Sequence, residues 1–149
     1  MDIERYLLDL KLNLFKEDNW QEIVLTRQWT SSIPSKAGVY ALKEETELVY
    51  IGETGNLRGR MTDLLDSRHH TVRRSIGKKL FSHHEGFIQA TTKNKFPDHI
   101  EILVNEHICN NLRIAFLLVS LGRKELEEFI EKNIKEDIKL NKRGKRKER

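Results

Sequence analysis

The chain has 149 residues and a formal net charge of +4 at pH 7; 38% of its residues are hydrophobic and 34% are charged. A chain of this length forms one domain, because it can bury roughly two-thirds of the surface that its unfolded form exposes. It has no apolar run of membrane-spanning length, no basic-then-apolar leader and one cysteine, so we expect a cytoplasmic (in a prokaryote, nucleoid-associated) protein without membrane partner, disulfide or cysteine-based zinc site.

The first 36 residues predict a helix followed by a loop. Apolar residues spaced by three or four positions indicate the helix, and these are Ile3, Leu7, Leu10 and Leu14. From Asp18 to Lys36 the chain is polar, contains Pro34 and lacks clean periodicity, so we expect it to be mostly loop. We assign 1–36 to an N-terminal helix and loop that pack on the core.

Two short strings predict a hairpin. Gly38-Val39-Tyr40 and Val49-Tyr50-Ile51-Gly52 each suit a pleated, half-buried strand, and the polar residues between them indicate a turn. If the turn is centred near Glu45, Tyr40 lies directly opposite Tyr50 and both phenols leave the same face of the sheet. Simple packing of a cross-strand aromatic pair explains the two tyrosines equally well at this point.

Two helices are predicted after the hairpin. Asn56 can cap the first of them, and Arg60 lies beside its buried stripe of Leu57, Met61, Leu64 and Leu65. The second is predicted over Thr71 to Phe81, because apolar residues recur there every four positions, at Val72, Ile76 and Leu80.

Positive charge is concentrated around these helices and at the end of the chain. Residues 56–79 carry seven basic and two acidic groups, and residues 142–149 carry six and one. Such clusters favour nucleic acid, because each neutralised phosphate releases condensed counterions. For 143–149, a basic, disordered and solvated tail is the alternative. The candidate nucleic-acid-binding residues are Arg58, Arg68, Arg73, Arg74, Lys78 and Lys79.

The rest of the chain predicts a helix, a strand and a helix. We expect a helix from Asp98 to Asn110, a central strand covered on both faces from Ile114 to Ser120, and a last helix from about Arg123 to Asp137. Together the elements predict an α+β domain in which helices flank a small sheet.

The last helix carries several acids, and a helical wheel separates three of them. At about 100° per residue, Glu127 lies roughly 60° from the centre of the apolar stripe, Glu131 about 100° and Glu128 about 160°. A carboxylate near the buried boundary is costly unless it is paired or binds a cation, so Glu127 is the best candidate for a metal ligand. Periodicity alone favours a salt-bridged acid on the flank of the helix.

The two strings resemble the name motifs of the GIY-YIG endonuclease family, here Gly38-Val39-Tyr40 and Tyr50-Ile51-Gly52. The family's Asn-Leu-x-x-Arg pattern is present from Asn56 to Arg60, and its later Glu and Asn resemble Glu127 and Asn141. The resemblance implies a GIY-YIG-like nuclease domain with a mixed or antiparallel three-stranded sheet. This chain would add an N-terminal helix and a helical insertion before the third strand.

The chain departs from the family pattern in several places. Val39 stands where the family has Ile, and no Pro precedes Asn141 directly. The interval from Glu127 to Asn141 is a residue or two longer than usual, so Glu128 and Glu131 stay open as alternative acids.

The histidine of the site is a further open point. Some relatives have a His or Tyr four residues after the arginine, where this chain has Leu64, so His69 or His70 would substitute for it. Two exposed histidines at the start of a basic helix are an equally good interpretation. The resemblance covers roughly 37–142 and leaves 143–149 as the basic tail.

The resemblance implies a metal-dependent DNA endonuclease that hydrolyses phosphodiester bonds with one metal ion. Glu127 would hold Mg²⁺ (or Mn²⁺), Arg60 would contact the scissile phosphate, and Tyr40 would act as the general base. Tyr50, with His70 or His69, would orient the water or share the proton transfer.

The resemblance also implies a role for Asn141, which would position the phosphate or brace the acid. The expected partner is duplex or branched DNA, with a homodimer or a larger partner complex as the assembly. Two other interpretations stay open: a catalytically silent nucleic-acid-binding module of the same fold, and binding of RNA or a protein by the basic helix and tail.

Overall fold

The computed structural model describes residues 2–141, which form six α-helices and four strands, and the predicted α+β class is confirmed. The helices are α1 (Ile3–Leu14), α2 (Arg27–Ser31), α3 (Leu57–Asp63), α4 (Thr71–Phe81), α5 (Asp98–Asn111) and α6 (Arg123–Glu131). The strands are β1 (Gln21–Glu22), β2 (Gly38–Glu44), β3 (Glu47–Thr54) and β4 (Leu112–Leu118). None of these helices is both long and apolar enough to span a membrane. The tail expected at 143–149 lies outside the described residues.

The four strands form one antiparallel sheet in the order β1-β4-β2-β3. Tyr40 pairs with Gly52 and Leu42 pairs with Tyr50, so the prediction that the two tyrosines lie directly opposite each other was wrong by two residues. The register shifts after Leu42, where β3 contributes Val49 as an extra residue. Residues 40 and 42 point to the same face, so both phenols still leave one face of the sheet.

The prediction of loop from Asp18 to Lys36 was wrong in part. This stretch contains the end of a 3-10 turn at Glu17–Asn19 and the short elements β1 and α2. Strand β1 pairs with Arg113 and Ile114 of β4, so the sheet has four strands instead of the predicted three. A strand of two residues, both exposed, is too short to show the alternation by which a strand is recognised in a sequence.

The helices around the site begin where the sequence predicts. Asn56 caps α3, since its Oδ1 accepts a hydrogen bond from the N–H of Gly59 over 3.1 Å. Helix α4 has the predicted bounds. Helix α6 ends at Glu131, well before the predicted Asp137. The chain beyond it reaches β3, where the Leu140 N–H donates to the carbonyl of Val49. Ile134 is buried beyond the end of the helix, so the apolar spacing continues although the helix does not.

Alternate residues of the strands contribute to two cores, one on each face of the sheet. On one face α1 and α6 cover the strands, and the buried residues there include Leu7, Leu14, Val39, Ile51, Leu126 and Ile130. On the other face α3, α4 and α5 pack over Tyr40, Tyr50 and their neighbours. The two tyrosines therefore lie beneath the helices that carry the basic cluster.

Candidate active site

Two candidate site residues from the C-terminal part of the chain, Glu127 and Asn141, bond to the outer edge of β3. The main-chain groups of every second residue point outward along such an edge and need partners. Asn141 donates from Nδ2 to the carbonyl of Ile51 over 2.7 Å, and its Oδ1 accepts from the Ile51 N–H over 3.2 Å. The Glu127 carboxylate accepts from the N–H of Glu53 over 3.1 Å. Both side chains are thus held against the strand that carries Tyr50.

The side chain of Asn141 contacts the main chain of β3. Both ends of its amide are engaged by the main chain of Ile51, so the side chain braces β3. The role in positioning the phosphate or bracing the acid, which the resemblance implied, stays a prediction. The adjacent residue, Leu140, extends this pairing because its N–H donates to the carbonyl of Val49 over 2.8 Å. Asn141 therefore fixes the strand on which Tyr50 lies.

The two tyrosines are in contact and almost completely buried. Tyr40 is 1% exposed and Tyr50 is 5% exposed, their ring centroids are 5.7 Å apart, and 3.4 Å separates the two hydroxyl oxygens. The ring of Tyr40 crosses β3 at Gly52, where a Cβ atom would lie 2.5 Å from the Tyr40 Cζ. At Gly38 a Cβ would clash with the carbonyl oxygen of Leu117. The motif glycines are therefore required by close approach.

Arg60 reaches the tyrosines from α3. Its Nε donates to the Tyr40 hydroxyl over 3.2 Å, while its Nη1 donates to the Asp63 carboxylate over 3.2 Å and to the His69 carbonyl over 3.0 Å. Burial opposes the charged form of Arg60, but its interactions with Tyr40 and Tyr50 outweigh this and raise its pKa. The site therefore holds a permanently charged guanidinium against the phenols. Sequence reasoning missed Asp63, although its spacing of three residues from Arg60 on a helix was a usable signal.

The structure brings His70 to the tyrosines and leaves His69 outside. His70 is fully buried, with its Nε2 2.9 Å from the hydroxyl oxygen of Tyr40. It caps α4, since its Nδ1 accepts a hydrogen bond from the N–H of Val72 over 3.1 Å. The side chain of His69 is 54% exposed and lies 3.6 Å from the carboxylate of Asp66.

The contacts of His70 determine which of its ring nitrogens carries the proton. The Val72 N–H donates to Nδ1, so the proton of the neutral ring is on Nε2 and His70 donates to the hydroxyl of Tyr40. Burial, followed by the charges of Arg60, Arg74 and Arg73, holds the pKa of His70 well below its ordinary value. The Tyr40 oxygen therefore accepts two hydrogen bonds, one from Arg60 and one from His70.

This depressed pKa predicts an acid sensitivity that depends on His70. The unfolded chain binds a proton at residue 70 below about pH 6.5, whereas the folded protein does not until a lower pH, so stability must fall on acidification. We expect the free energy of unfolding, measured with urea, to fall between pH 7.5 and 5.5. His70→Asn keeps a capping side chain and should reduce this fall by up to about 1.4 kcal/mol per pH unit. The control is His69→Asn, which removes an exposed histidine and leaves His70 in place. Parallel curves for all three proteins would contradict this assignment.

The structure also separates the three candidate acids. Glu127 is 7% exposed and lies at the edge of β3, close enough that its charge contributes to raising the pKa of Tyr50, after the larger effect of burial. Glu128 is exposed, and Glu131 forms an ion pair with Lys139 over 2.8 Å. The acid that the wheel placed nearest the buried boundary is therefore the one beside the tyrosines.

A single carboxylate suits a particular class of metal. Among residues 2–141 no group of three or more His, Cys, Asp or Glu side chains gathers at one point. Mg²⁺ keeps several waters and binds through one or two carboxylates and substrate phosphates, so Glu127 alone is compatible with it. The neighbouring carboxylate, Glu53, forms an ion pair with Arg123 over 3.2 Å.

Comparison with known proteins identifies the family. A family model described as the GIY-YIG catalytic domain matches residues 15–147. The chain belongs to this family. No curated protein gave a significant match.

Three solved structures are similar to the chain, all of point-mutant forms of the GIY-YIG N-terminal endonuclease domain of UvrC from Thermotoga maritima. Those domains are described as bound to their catalytic divalent cation. The identities are 18%, 18% and 17%, and the TM-scores are 0.41, 0.39 and 0.39. In each case the match covers 87% of this chain and 100% of the other.

The basic residues of this GIY-YIG domain do not all face outward. Arg73 is 2% exposed, its Nη2 pairs with Glu101, and its Nε donates to Ser67 Oγ over 2.9 Å. The prediction that Arg73 contacts nucleic acid is therefore contradicted by its burial. Arg68 forms an ion pair with Asp66 over 2.7 Å.

The remaining candidate nucleic-acid-binding residues differ in how far they are exposed to solvent. The Nε of Arg58 donates to the Ile33 carbonyl over 2.8 Å, although the residue is exposed. Arg74 is partly buried, and Lys78 and Lys79 are exposed on α4. Arg58 is on the same helix as Arg60, and the other three are on the helix that His70 caps.

Proposed function

We propose that this domain is a metal-dependent endonuclease that hydrolyses phosphodiester bonds of DNA at the site formed by Tyr40, Arg60 and Glu127. The observation that carries the proposal is the hydrogen bonding of the Tyr40 hydroxyl, which accepts from both Arg60 and His70. Two donors, one of them charged, stabilise a phenolate more than a phenol. Packing of an aromatic pair requires neither donor.

Tyr40 would act as the base that takes the proton of the attacking water. An ordinary phenol has a pKa of about 10. Burial raises the pKa of Tyr40 further, and Tyr50 adds to this, whereas the charge and hydrogen bond of Arg60 act in the opposite direction. The hydrogen bond from His70, like that from Arg60, stabilises the phenolate, because His70 donates to the oxygen that becomes negative.

Arg60 would also bind the scissile phosphate. Its Nε and Nη1 atoms are engaged within the protein, yet its side chain is still 27% exposed, so part of the guanidinium is open to a ligand. A guanidinium can hold a phosphate in a fixed, forked geometry and stabilise the charge that builds up as the water attacks. Arg60 would thus link the base to the reacting group.

Glu127 would hold one Mg²⁺ or Mn²⁺, which when bound neutralises charge on the phosphate and the departing oxygen. The N–H of Glu53 orients the Glu127 carboxylate, and Asn141 fixes the strand beneath it. The contacts that hold Glu127 and Asn141 against β3 are therefore made by the protein itself and do not depend on the metal.

Cleavage of plasmid DNA in Mg²⁺ tests the proposal. Glu127→Gln and Arg60→Ala should each lower the rate by at least about 10²- to 10³-fold, the usual effect of removing one charge-stabilising group. The matched controls are Glu128→Gln, an exposed acid on the same helix, and Arg27→Ala, an exposed arginine on α2; both should cut like the wild type.

A panel of plasmid, linear duplex, flap, junction and RNA substrates separates the outcomes. Undiminished cleavage by both site variants would refute the assigned roles. Binding that persists in EDTA, together with no nicking of any substrate in Mg²⁺ or Mn²⁺, would replace the endonuclease with a silent nucleic-acid-binding module.

A further inference from the structure

A groove of about 600 Å³ opens next to the site, between α4, residues 89–92 and residues 139–141. We call it the α4 groove. Four of its lining residues are basic, namely Arg74, Lys78, Lys79 and Lys139, and among the described residues none of its lining side chains is acidic. The rest of the lining is mostly polar and includes hydroxyl and amide side chains.

The α4 groove begins where the site ends. Thr71 lines the groove and directly follows His70, and Asn141, on the other wall, is bonded to Ile51 beside Tyr50. A strand whose phosphate lies at Arg60 would therefore continue into the groove over a short distance.

The charges around this junction are only partly compensated within the protein. Arg74 donates from Nη1 to the carbonyls of Ser67 and Arg68, both over 2.9 Å, and these neutral groups leave its positive charge uncancelled. Burial, followed by the nearby charge of Arg60, lowers the pKa of Arg74. An anion bound between the two guanidiniums would relieve their repulsion.

The walls of the groove are held in place by contacts between segments that are distant in sequence. Ser75 Oγ donates to the carbonyl of Leu140 over 3.2 Å, and Lys79 Nζ donates to the carbonyl of Lys139. The Gln89 amide donates to the carbonyl of Arg74 over 3.3 Å. The groove is therefore a preformed feature of the fold.

The basic side chains differ in how far they are already paired. Lys139 forms an ion pair with Glu131 and contributes little free charge. Lys78 is exposed, and its side chain makes no hydrogen bond or ion pair with residues 2–141. Arg74, Lys78 and Lys79 thus supply the positive charge that an anionic ligand would meet.

We infer that the α4 groove binds the sugar–phosphate backbone of the DNA that flanks the scissile phosphate. The inference rests on the proposed function, and it assigns to α4 the task of holding substrate beside the cut. Cations, hydroxyls and amides are the groups that contact phosphates and sugars, and such contacts position DNA without reading its sequence. Any sequence preference must then come from another surface or partner.

The salt dependence of binding tests this inference without requiring cleavage. Glu127→Gln protein in EDTA would be titrated against a labelled 30-bp duplex at several salt concentrations by fluorescence anisotropy. A plot of log affinity against log salt has a negative slope, and the magnitude of this slope falls by about 0.9 for each phosphate that the protein no longer neutralises. Lys78→Ala, which breaks no hydrogen bond or ion pair among residues 2–141, should lower the slope by that amount, and Lys78→Ala/Lys79→Ala by about twice as much.

The matched control is Arg5→Ala/Lys16→Ala, which removes the same charge from exposed positions at α1, on the opposite face of the sheet. Its slope should stay within a few tenths of the parent's value. A slope unchanged in the α4 variants would overturn the inference even if the wild type cleaves DNA. A reduced slope, together with no cleavage by wild type, would refute the proposed function and leave the groove assignment standing.

Discussion

Tyr40→Phe is expected to lower the rate of DNA cleavage by about 10²- to 10⁴-fold, the usual contribution of a general base. The substitution removes one oxygen atom and leaves the aromatic ring in its place over Gly52. Single-turnover cleavage in saturating Mg²⁺ measures the effect on the chemical step. Tyr6→Phe is the matched control, because the Tyr6 hydroxyl donates to the Leu121 carbonyl over 2.8 Å, away from the site.

The same substitution should also lower stability. Without the Tyr40 oxygen, the buried Nε2–H of His70 has no acceptor, and the partly buried Nε–H of Arg60 loses one. An unsatisfied buried donor costs about 1–3 kcal/mol, so urea unfolding should show a loss in this range. A variant that is destabilised but still cleaves at the wild-type rate would show that Tyr40 is a packing residue.

The pH dependence of cleavage gives an independent test of the base. Because the pKa of Tyr40 is raised, the phenolate is scarce at neutral pH and the wild-type rate should rise with pH. His70 stays neutral, so no inflection near its ordinary pKa is expected. Cleavage by Tyr40→Phe should lose the rise with pH that the wild type shows.

Short-range patterns predicted the parts of the site that lie within one element or one hairpin. The alternation of the strands placed Tyr40 and Tyr50 on one face, and the cap at Asn56 correctly marked the start of α3. The helical wheel placed Glu127 at the buried boundary, which agrees with its exposed fraction of 7%. In each case the information lies in residues a few positions apart.

Contacts between distant segments could not be predicted in this way. Arg73 has the same charge as Arg74, Lys78 and Lys79 on the same helix, and its partner Glu101 lies 28 residues further along the chain. Asn141 meets Ile51 across 90 residues. The extra residue at Val49 depends on how two strands twist together, which no periodicity in either strand reveals.

Glu101→Gln is expected to lower the free energy of unfolding by about 3 to 5 kcal/mol, the cost of leaving one charge of a buried pair uncompensated. The side chain of Arg73 is 2% exposed, and Glu101 is the carboxylate that pairs with it. The same carboxylate accepts from Ser67 Oγ over 2.7 Å and from the Phe96 N–H over 2.8 Å. A glutamine would also turn its amide nitrogen towards one of these donors.

Urea unfolding measures this loss, and an exposed ion pair supplies the control. Lys135 and Glu47 are 3.0 Å apart with side chains 65% and 48% exposed, so Glu47→Gln should change the stability by no more than about 1 kcal/mol. Equal losses for Glu101→Gln and Glu47→Gln would mean that burial does not strengthen the effect at Arg73.

A double substitution separates the ion pair from the hydrogen bonds around it. Arg73→Met/Glu101→Leu removes both buried charges and should recover part of the stability, because an apolar pair carries no desolvation penalty. It leaves Ser67 and the Phe96 N–H without their shared acceptor. If the double variant is as unstable as Glu101→Gln, these hydrogen bonds, and not the ion pair, connect α5 to the loop that presents His70.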